Sequence, residues 1–244
     1  EHMMFRGSER FGPKEHTASI ARTGGDCNAF TGFDETVFHQ TLPAASLELA
    51  FELEADRFLR LKLDADAVET EKKVVLEEIR AYENQPMARA FRRLIAAVGA
   101  GHPYGLDPLG LQDHLLAATR EDLFAHYRRL FRPGNVFAVA AGHVTVQAVR
   151  ELAERHFGAW REPQDLAPTA DPGPFLPATG RRIEKLSIEI PLVVRLHRLP
   201  APAQLDRPAL QLLQDLLGEG ESSPLHEELV RRRRLCVDER VVGD

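Results

Sequence analysis

The chain has 244 residues, of which 43% are hydrophobic and 28% charged, a composition typical of a folded globular protein and not of a disordered one. Its formal net charge of -6 comes from interspersed acids and bases, and the one short basic run, Arg231 to Arg234, is typical of a solvated helix face. We therefore expect no nucleic-acid partner. No apolar run approaches the ~20 residues that a membrane-spanning helix needs, so no membrane span is expected either.

The first forty residues predict a short helix followed by extended structure. The opening helix ends at Gly7, because glycine commonly follows the last helical residue. After the Gly24-Gly25 pair the side chains from Cys27 to Thr31 alternate, and a second extended run follows Asp34-Glu35. One or two strands, entered through a glycine turn, are predicted here.

Helical periodicity dominates the next part of the chain. Residues 45–62 repeat apolar side chains at spacings of three and four, and a second helix is predicted over 66–84, where Pro86 limits its continuation. Thr119 and Asp122 form a capping-box pattern that predicts the start of another helix.

The rest of the chain combines strands, helices and a proline-rich segment. Residues 135–141 and 188–196 are apolar runs that predict strands. Helices are predicted around Val149 to Ala153 and over Arg207 to Leu217, the latter ending at the glycines Gly218 and Gly220. Five prolines fall between residues 163 and 180, a density that a packed element does not tolerate. We predict a linker at 163–180 between a first domain at 1–162 and the beginning of a related second domain at 181–244.

Carboxylates on the second predicted helix are candidate metal ligands. At about 100° per residue, Glu71 and Glu78 fall on one face, whereas Glu77 points about a third of a turn away. Together with Glu1 and His2 they offer the imidazole nitrogen and carboxylate oxygens that zinc accepts, and a further carboxylate to take a proton from water. Glu-rich helices are common, so spacing alone favours a solvated helix face over a metal site.

Several stretches resemble one peptidase family in the same order along the chain. Glu1 to Ser8 resembles the end of the inverted H-x-x-E-H zinc motif of the pitrilysin/insulinase family, which includes bacterial members similar to processing peptidases. Gly24 to Thr31 resembles the family's substrate-binding edge strand, and Glu71 to Ile79 the helix that supplies its third zinc ligand. The match continues through His102-Pro-Tyr-Gly105, Phe131-Arg-Pro-Gly-Asn135 and Leu216 to Ser223.

This resemblance implies a role for each residue of the candidate site. His2 and Glu78 would be ligands of Zn²⁺, Glu1 would be the general base, and Glu71 would assist catalysis by orienting a ligand.

The resemblance also implies the fold and a way to bind substrate. Asn28, Ala29 and Thr31 would offer an extended backbone, to which a peptide adds as a further strand. The fold class expected is α+β, with antiparallel sheets and helices packed against one face.

The family's motif begins with a histidine three residues before the Glu-His pair, a position that lies outside this chain. We therefore expect the chain as given to be cut at both ends, to bind metal weakly and to be inactive. Pro224 stands where the family commonly has arginine, so that substrate contact is not carried over.

The function implied for the parent protein is that of a zinc-dependent endopeptidase, which cleaves extended peptides or unfolded segments with a metal-activated water. A second homologous half, on the same chain or on another subunit, is implied as its partner. Two alternatives stay open: a non-catalytic relative that serves as partner subunit or peptide-binding scaffold, and a zinc hydrolase with non-peptide substrates.

Overall fold

The chain divides into two compact units, Glu1–Glu189 and Ile190–Asp244. A computed structural model describes residues 1–163, 172–175, 179–181, 183, 185, 187–197, 206–238 and 241. The predicted linker lies partly outside these described residues, and the predicted domain division stays a prediction.

The first unit contains one small sheet and seven α-helices among its described residues. Its elements are α1 (Glu15–Arg22), β1 (Asp26–Thr31), β2 (Thr36–Thr41), α2 (Leu47–Leu59), α3 (Ala65–Glu83), α4 (Pro86–Val98), α5 (Gln112–Ala117), α6 (Arg120–Leu130) and α7 (Val146–Phe157). Single 3-10 turns occur at His2–Phe5, Ala44–Ser46, Pro103–Gly105 and Pro133–Asn135. The described part of the second unit contains α8 (Arg207–Gly218) and a π-helix at His226–Arg232. No described helix has the length and apolarity needed to cross a membrane.

The sheet is an antiparallel pair, as the α+β expectation requires. β1 and β2 pair in register from Asp26 opposite Thr41 to Thr31 opposite Thr36. A Cβ atom at Gly25, just before β1, would lie 2.6 Å from the carbonyl oxygen of Thr41, so only glycine fits where the chain enters the sheet. The predicted pair of strands and its glycine turn are therefore confirmed.

Most of the predicted helices are confirmed within a few residues of their predicted ends. α3 ends at Glu83, and Pro86 occupies the first turn of α4, where its missing N–H is not needed. The capping box of α6 is present, since the Thr119 hydroxyl accepts a hydrogen bond from the Asp122 amide while the Asp122 carboxylate accepts one from the Thr119 amide.

The strands predicted at 135–141 and 188–196 are wrong. Both runs lack strand pairing where the structure describes them, and Phe137, Val139 and Val193 are 86%, 82% and 83% exposed. An apolar run indicates a β-strand only if a neighbouring strand receives its hydrogen bonds, and no described segment does so here.

The core of the first unit lies where α2 and α3 meet the beginning of the chain. Ile20 and Leu53 are completely buried, and Met4, Val68 and Ile79 are nearly so. On the sheet side, the ring of Phe38 on β2 lies 5.6 Å from that of Phe58 on α2 in an edge-to-face contact. The helices thus pack on the sheet and leave one edge of β1 without a described neighbour.

Asp56 on α2 fixes the segment that follows the first helical turn. Its carboxylate is 0% exposed and accepts hydrogen bonds from the Arg10 amide at 3.0 Å and the Arg60 guanidinium at 2.7 Å. A β-bridge between Ser8 and Leu61 joins the same two segments. Burial by itself raises the pKa of Asp56, but hydrogen bonds from Ser8, Arg10 and Arg60 outweigh it and hold that pKa below its usual value.

We expect Asp56→Asn to lower the free energy of unfolding at pH 7 by about 1–3 kcal/mol, because the amide offers one acceptor fewer to these donors. The folded-state pKa of Asp56 is depressed, so the stability it contributes is present above the unfolded carboxyl pKa of ~3.9 and is lost as pH falls through the folded value. Urea unfolding should therefore show a smaller difference in the free energy of unfolding between the wild-type protein and Asp56→Asn at pH 3 than at pH 7.

Glu69→Gln is the control for this comparison, because its side chain is 66% exposed and, among the described residues, pairs with Lys72 alone. It should change the free energy of unfolding by less than ~0.5 kcal/mol. An Asp56→Asn protein as stable as this control would contradict the role assigned to Asp56.

Candidate metal centre

The first turn of the chain is anchored by the two residues at its end. The turn His2–Phe5 ends before Gly7, whose φ of 113° favours glycine. Met4 is 3% exposed, and the ring of Phe5 lies 4.9 Å from the guanidinium of the buried Arg57. Burial of Met4 and this cation–π contact fix the turn against the core and leave His2 half-exposed beside α3.

The imidazole of His2 faces two carboxylates of α3. Its Nδ1 lies 2.8 Å from Glu71 Oε1, within hydrogen-bond distance, and its Nε2 lies 3.5 Å from Glu78 Oε2. Seven residues make two helical turns, so both carboxylates project from the same face of α3. The helical phase predicted from the sequence therefore places one carboxylate at each ring nitrogen.

Glu71 is the buried member of this group and Glu78 the accessible one. Their side chains are 7% and 40% exposed. The guanidinium of Arg6 pairs with the second oxygen of Glu71 and compensates its charge. Glu77 points away from the group, is 69% exposed and pairs with Arg80 at 2.5 Å.

The geometry of the His2–Glu78 pair suits two ligands of one ion. A separation of 3.5 Å is too long for a normal hydrogen bond but is close to the ~3.4 Å between two ligands placed about 2.1 Å from a tetrahedral zinc ion. A carboxylate on the other ring nitrogen, here Glu71, is the usual partner of a metal-binding histidine.

The donor set formed by these residues is incomplete by itself. Within the part of the chain that the structure describes, no group of three or more His, Cys, Asp or Glu side chains could hold a metal ion. His2 and Glu78 therefore fit two positions of a zinc site, and a third protein ligand is needed to complete it.

The end of β1 reaches the same site. The Thr31 hydroxyl donates a hydrogen bond of 2.5 Å to Glu1 Oε2 and lies 3.4 Å from the Thr36 hydroxyl. Asn28 and Ala29 lie further back on β1, where the Asn28 side-chain oxygen accepts from the Ala29 amide at 2.9 Å. No hydrogen bond between described residues joins either of them to Glu1 or the His2 group.

Of the residues predicted for the site, the structure thus brings together Glu1, His2, Thr31, Glu71 and Glu78. Arg6 was not predicted, although it compensates the charge of Glu71. Its position four residues after His2, directly after the same short turn, is the signal in the sequence that indicates it.

Comparison with known proteins finds two family models in succession along the chain. Residues 1–110 match the model described as insulinase, peptidase family M16, and residues 117–238 match the peptidase M16 inactive domain. The chain is 31% identical to the zinc protease PqqE of Helicobacter pylori, over 97% of the chain and 54% of that relative. It is 28% identical to the mitochondrial-processing peptidase subunit beta of Lentinula edodes, over 65% of the chain and 34% of that relative.

A solved structure supports the same relationship. The crystal structure of a protease from Helicobacter pylori matches 96% of the chain and 58% of its own length, with a TM-score of 0.79 and 29% identity. The chain spans about half the length of the first curated relatives it matches, 54% in the case of the zinc protease PqqE.

We expect Glu71→Gln to lower the free energy of unfolding by about 1–2 kcal/mol, because it leaves the mostly buried Arg6 guanidinium without its charged partner. Glu77→Gln removes the same charge from the exposed face of α3 and should change stability by less than ~0.5 kcal/mol. Thermal or urea unfolding of the two variants measures the difference, and equal effects would show that Glu71 is not tied to Arg6 and His2.

Proposed function

The chain belongs to the insulinase family of peptidases, M16, and we propose on this premise that it carries most of the catalytic site of a zinc-dependent endopeptidase. The observation that supports this most is the position of His2 between Glu71 and Glu78, with the carboxylate of Glu1 on the residue directly before His2. Zinc is the metal in the name of the Helicobacter pylori relative, and the nitrogen and oxygen donors present suit it.

His2 Nε2 and Glu78 Oε2 would hold the metal, together with a ligand that these residues do not supply. Zinc bound there supplies a Lewis acid that makes water nucleophilic near neutral pH. Glu71 fixes the orientation of the His2 ring through Nδ1, so that the lone pair of Nε2 is available to the metal. The Arg6 guanidinium pairs with the other oxygen of Glu71 and holds that carboxylate in place.

Glu1 has the geometry of a general base. The Thr31 hydroxyl occupies its Oε2, which leaves Oε1 to accept a proton from the attacking water. The same carboxyl would then return the proton to the leaving amine. Thr31 therefore links the base to the strand on which the substrate would lie.

The substrate class we propose is a peptide or an unfolded segment in extended form. β1 pairs with β2 on one side, and no described strand occupies its other edge. A substrate added along Asn28, Ala29 and Thr31 would gain main-chain hydrogen bonds that depend little on its sequence. It would also pass beside Glu1, because Thr31 contacts that residue.

The partner we propose is a second homologous half, on the same chain or on another subunit. This proposal rests on the greater length of the relatives, since the chain covers 54% of the zinc protease PqqE.

Zinc affinity tests the ligand assignment. In a form extended so that a histidine stands three positions before Glu1, we expect one zinc ion to bind per chain. The 244-residue chain lacks that ligand, so its affinity for zinc should be weaker by roughly 100-fold or more. In the extended form, Glu78→Gln should reduce the affinity by a similar factor, whereas Glu77→Gln should leave it unchanged. Calorimetric titration measures all four proteins, and equal affinities for the two glutamine variants would refute Glu78 as a ligand.

Hydrolysis tests the role of Glu1. We expect Glu1→Gln in the zinc-loaded whole protein to retain the metal but lose about 10²–10⁴-fold in kcat/KM on peptides, because no carboxylate remains to move the proton. Cleavage of quenched fluorescent peptides measures the loss. A zinc-loaded wild-type protein that cleaves no peptide would favour the scaffold alternative, and one that cleaves only small esters would favour a non-peptide hydrolase.

A further inference from the structure

Three aromatic rings and a carboxylate lie around Tyr104, in the turn between α4 and α5. The ring of Tyr104 lies 5.9 Å from Phe33, 4.9 Å from His102 and 5.7 Å from Phe175. Its hydroxyl donates a hydrogen bond of 2.7 Å to Asp34 Oδ1. We refer to Phe33, Asp34, His102, Tyr104 and Phe175 as the Tyr104 cluster.

The Tyr104 cluster lies next to the proposed catalytic site. Phe33 and Asp34 belong to the turn that directly continues β1, which is closed by a hydrogen bond of 2.8 Å from the Gly32 amide to the Glu35 carbonyl oxygen. Thr31, the last residue of β1, contacts Glu1. Only two or three residues of chain therefore separate Phe33 and Asp34 from the residue that contacts the proposed base.

The cluster combines an exposed carboxylate with partly exposed aromatic side chains. Asp34 and Glu35 are exposed, and no described lysine or arginine forms an ion pair with either of them. The hydrogen bond to Asp34, then burial and the charges of Asp34 and Glu35, raise the pKa of Tyr104. Phe33 is 52% and Tyr104 37% exposed, so part of each aromatic side chain is accessible.

His102 packs beside Tyr104 in the cluster. Its Nδ1 accepts a hydrogen bond from the Tyr104 amide at 3.2 Å, which fixes the histidine ring against the tyrosine ring.

We propose that the Tyr104 cluster is a subsite for a basic side chain of the peptide substrate, an extension that rests on the proposed function. A guanidinium or ammonium group would lie on the faces of Phe33 and Tyr104 and pair with Asp34 Oδ2, since Oδ1 is taken by the tyrosine hydroxyl. A neutral apolar side chain would instead cover the Asp34 carboxylate without a partner, which is unfavourable. The subsite would thus select a basic substrate side chain, whereas β1 would bind the substrate through main-chain hydrogen bonds.

The test uses the zinc-loaded whole protein and quenched peptides of one common sequence. A single arginine is moved through each position on both sides of the scissile bond, and each peptide has a twin with citrulline, the neutral isostere. We expect one position at which arginine is preferred by about fivefold to tenfold in kcat/KM, the magnitude of a cation–π contact and an exposed ion pair.

Variants locate this preference on the cluster. Asp34→Asn and Phe33→Leu should each reduce the ratio of kcat/KM for the arginine peptide to kcat/KM for its citrulline twin severalfold. Glu121→Gln removes a charge from the exposed end of α6, where the side chain is 77% exposed, and should leave the preference intact. A preference that is absent in the wild-type protein, or equal in Asp34→Asn and the control, would overturn the subsite.

A binding measurement separates failure of the subsite from failure of the proposed function. Fluorescein-labelled arginine and citrulline peptides are titrated into the Glu1→Gln whole protein, and anisotropy gives the two Kd values. If the wild-type protein cleaves nothing, the proposed function fails and the ratio of Kd values still decides the subsite. If peptides are cleaved but neither kcat/KM nor Kd distinguishes arginine from citrulline, the subsite alone is refuted.

Discussion

The site depends on one imidazole placed between two carboxylates that lie two turns apart on a single helix. α3 sets the spacing of Glu71 and Glu78, and His2 bridges it by presenting one ring nitrogen to each. The buried carboxylate is compensated by Arg6, so it can orient the ring without remaining an unpaired buried charge. The accessible carboxylate and the second ring nitrogen are the two groups that would hold the proposed metal ion together.

This arrangement needs the beginning of the chain to be held firmly against α2 and α3, since a single 3-10 turn has little stability of its own. Burial of Met4, the contact of Phe5 with Arg57 and the hydrogen bonds around Asp56 provide that support. Each contact lies outside the group that would do chemistry. Variants at these positions are therefore expected to affect the site indirectly, through the stability of the turn.

The strand β1 connects the proposed chemistry with substrate recognition. At its end Thr31 contacts Glu1, and the turn beyond it contributes Phe33 and Asp34 to the Tyr104 cluster. The proposed base, the edge of β1 that no described strand pairs with, and the proposed subsite are thus joined by one short segment of backbone. A peptide aligned with this strand would meet all three in succession, which supports a role for β1 in placing the scissile bond.

The sequence by itself determined what depends on local order. Helical phase put Glu71 and Glu78 on one face and Glu77 elsewhere, the Thr119 and Asp122 pattern indicated the start of α6, and Gly25 marked the entry to β1. Family resemblance extended this to the α+β class and the candidate residues. Only the tertiary structure decided which distant groups meet: His2 contacts Glu71 across 69 residues and Tyr104 contacts Asp34 across 70. The same reason accounts for the two wrong strands, because a strand needs hydrogen bonds from a partner elsewhere in the chain, whereas a helix satisfies its own backbone within four residues.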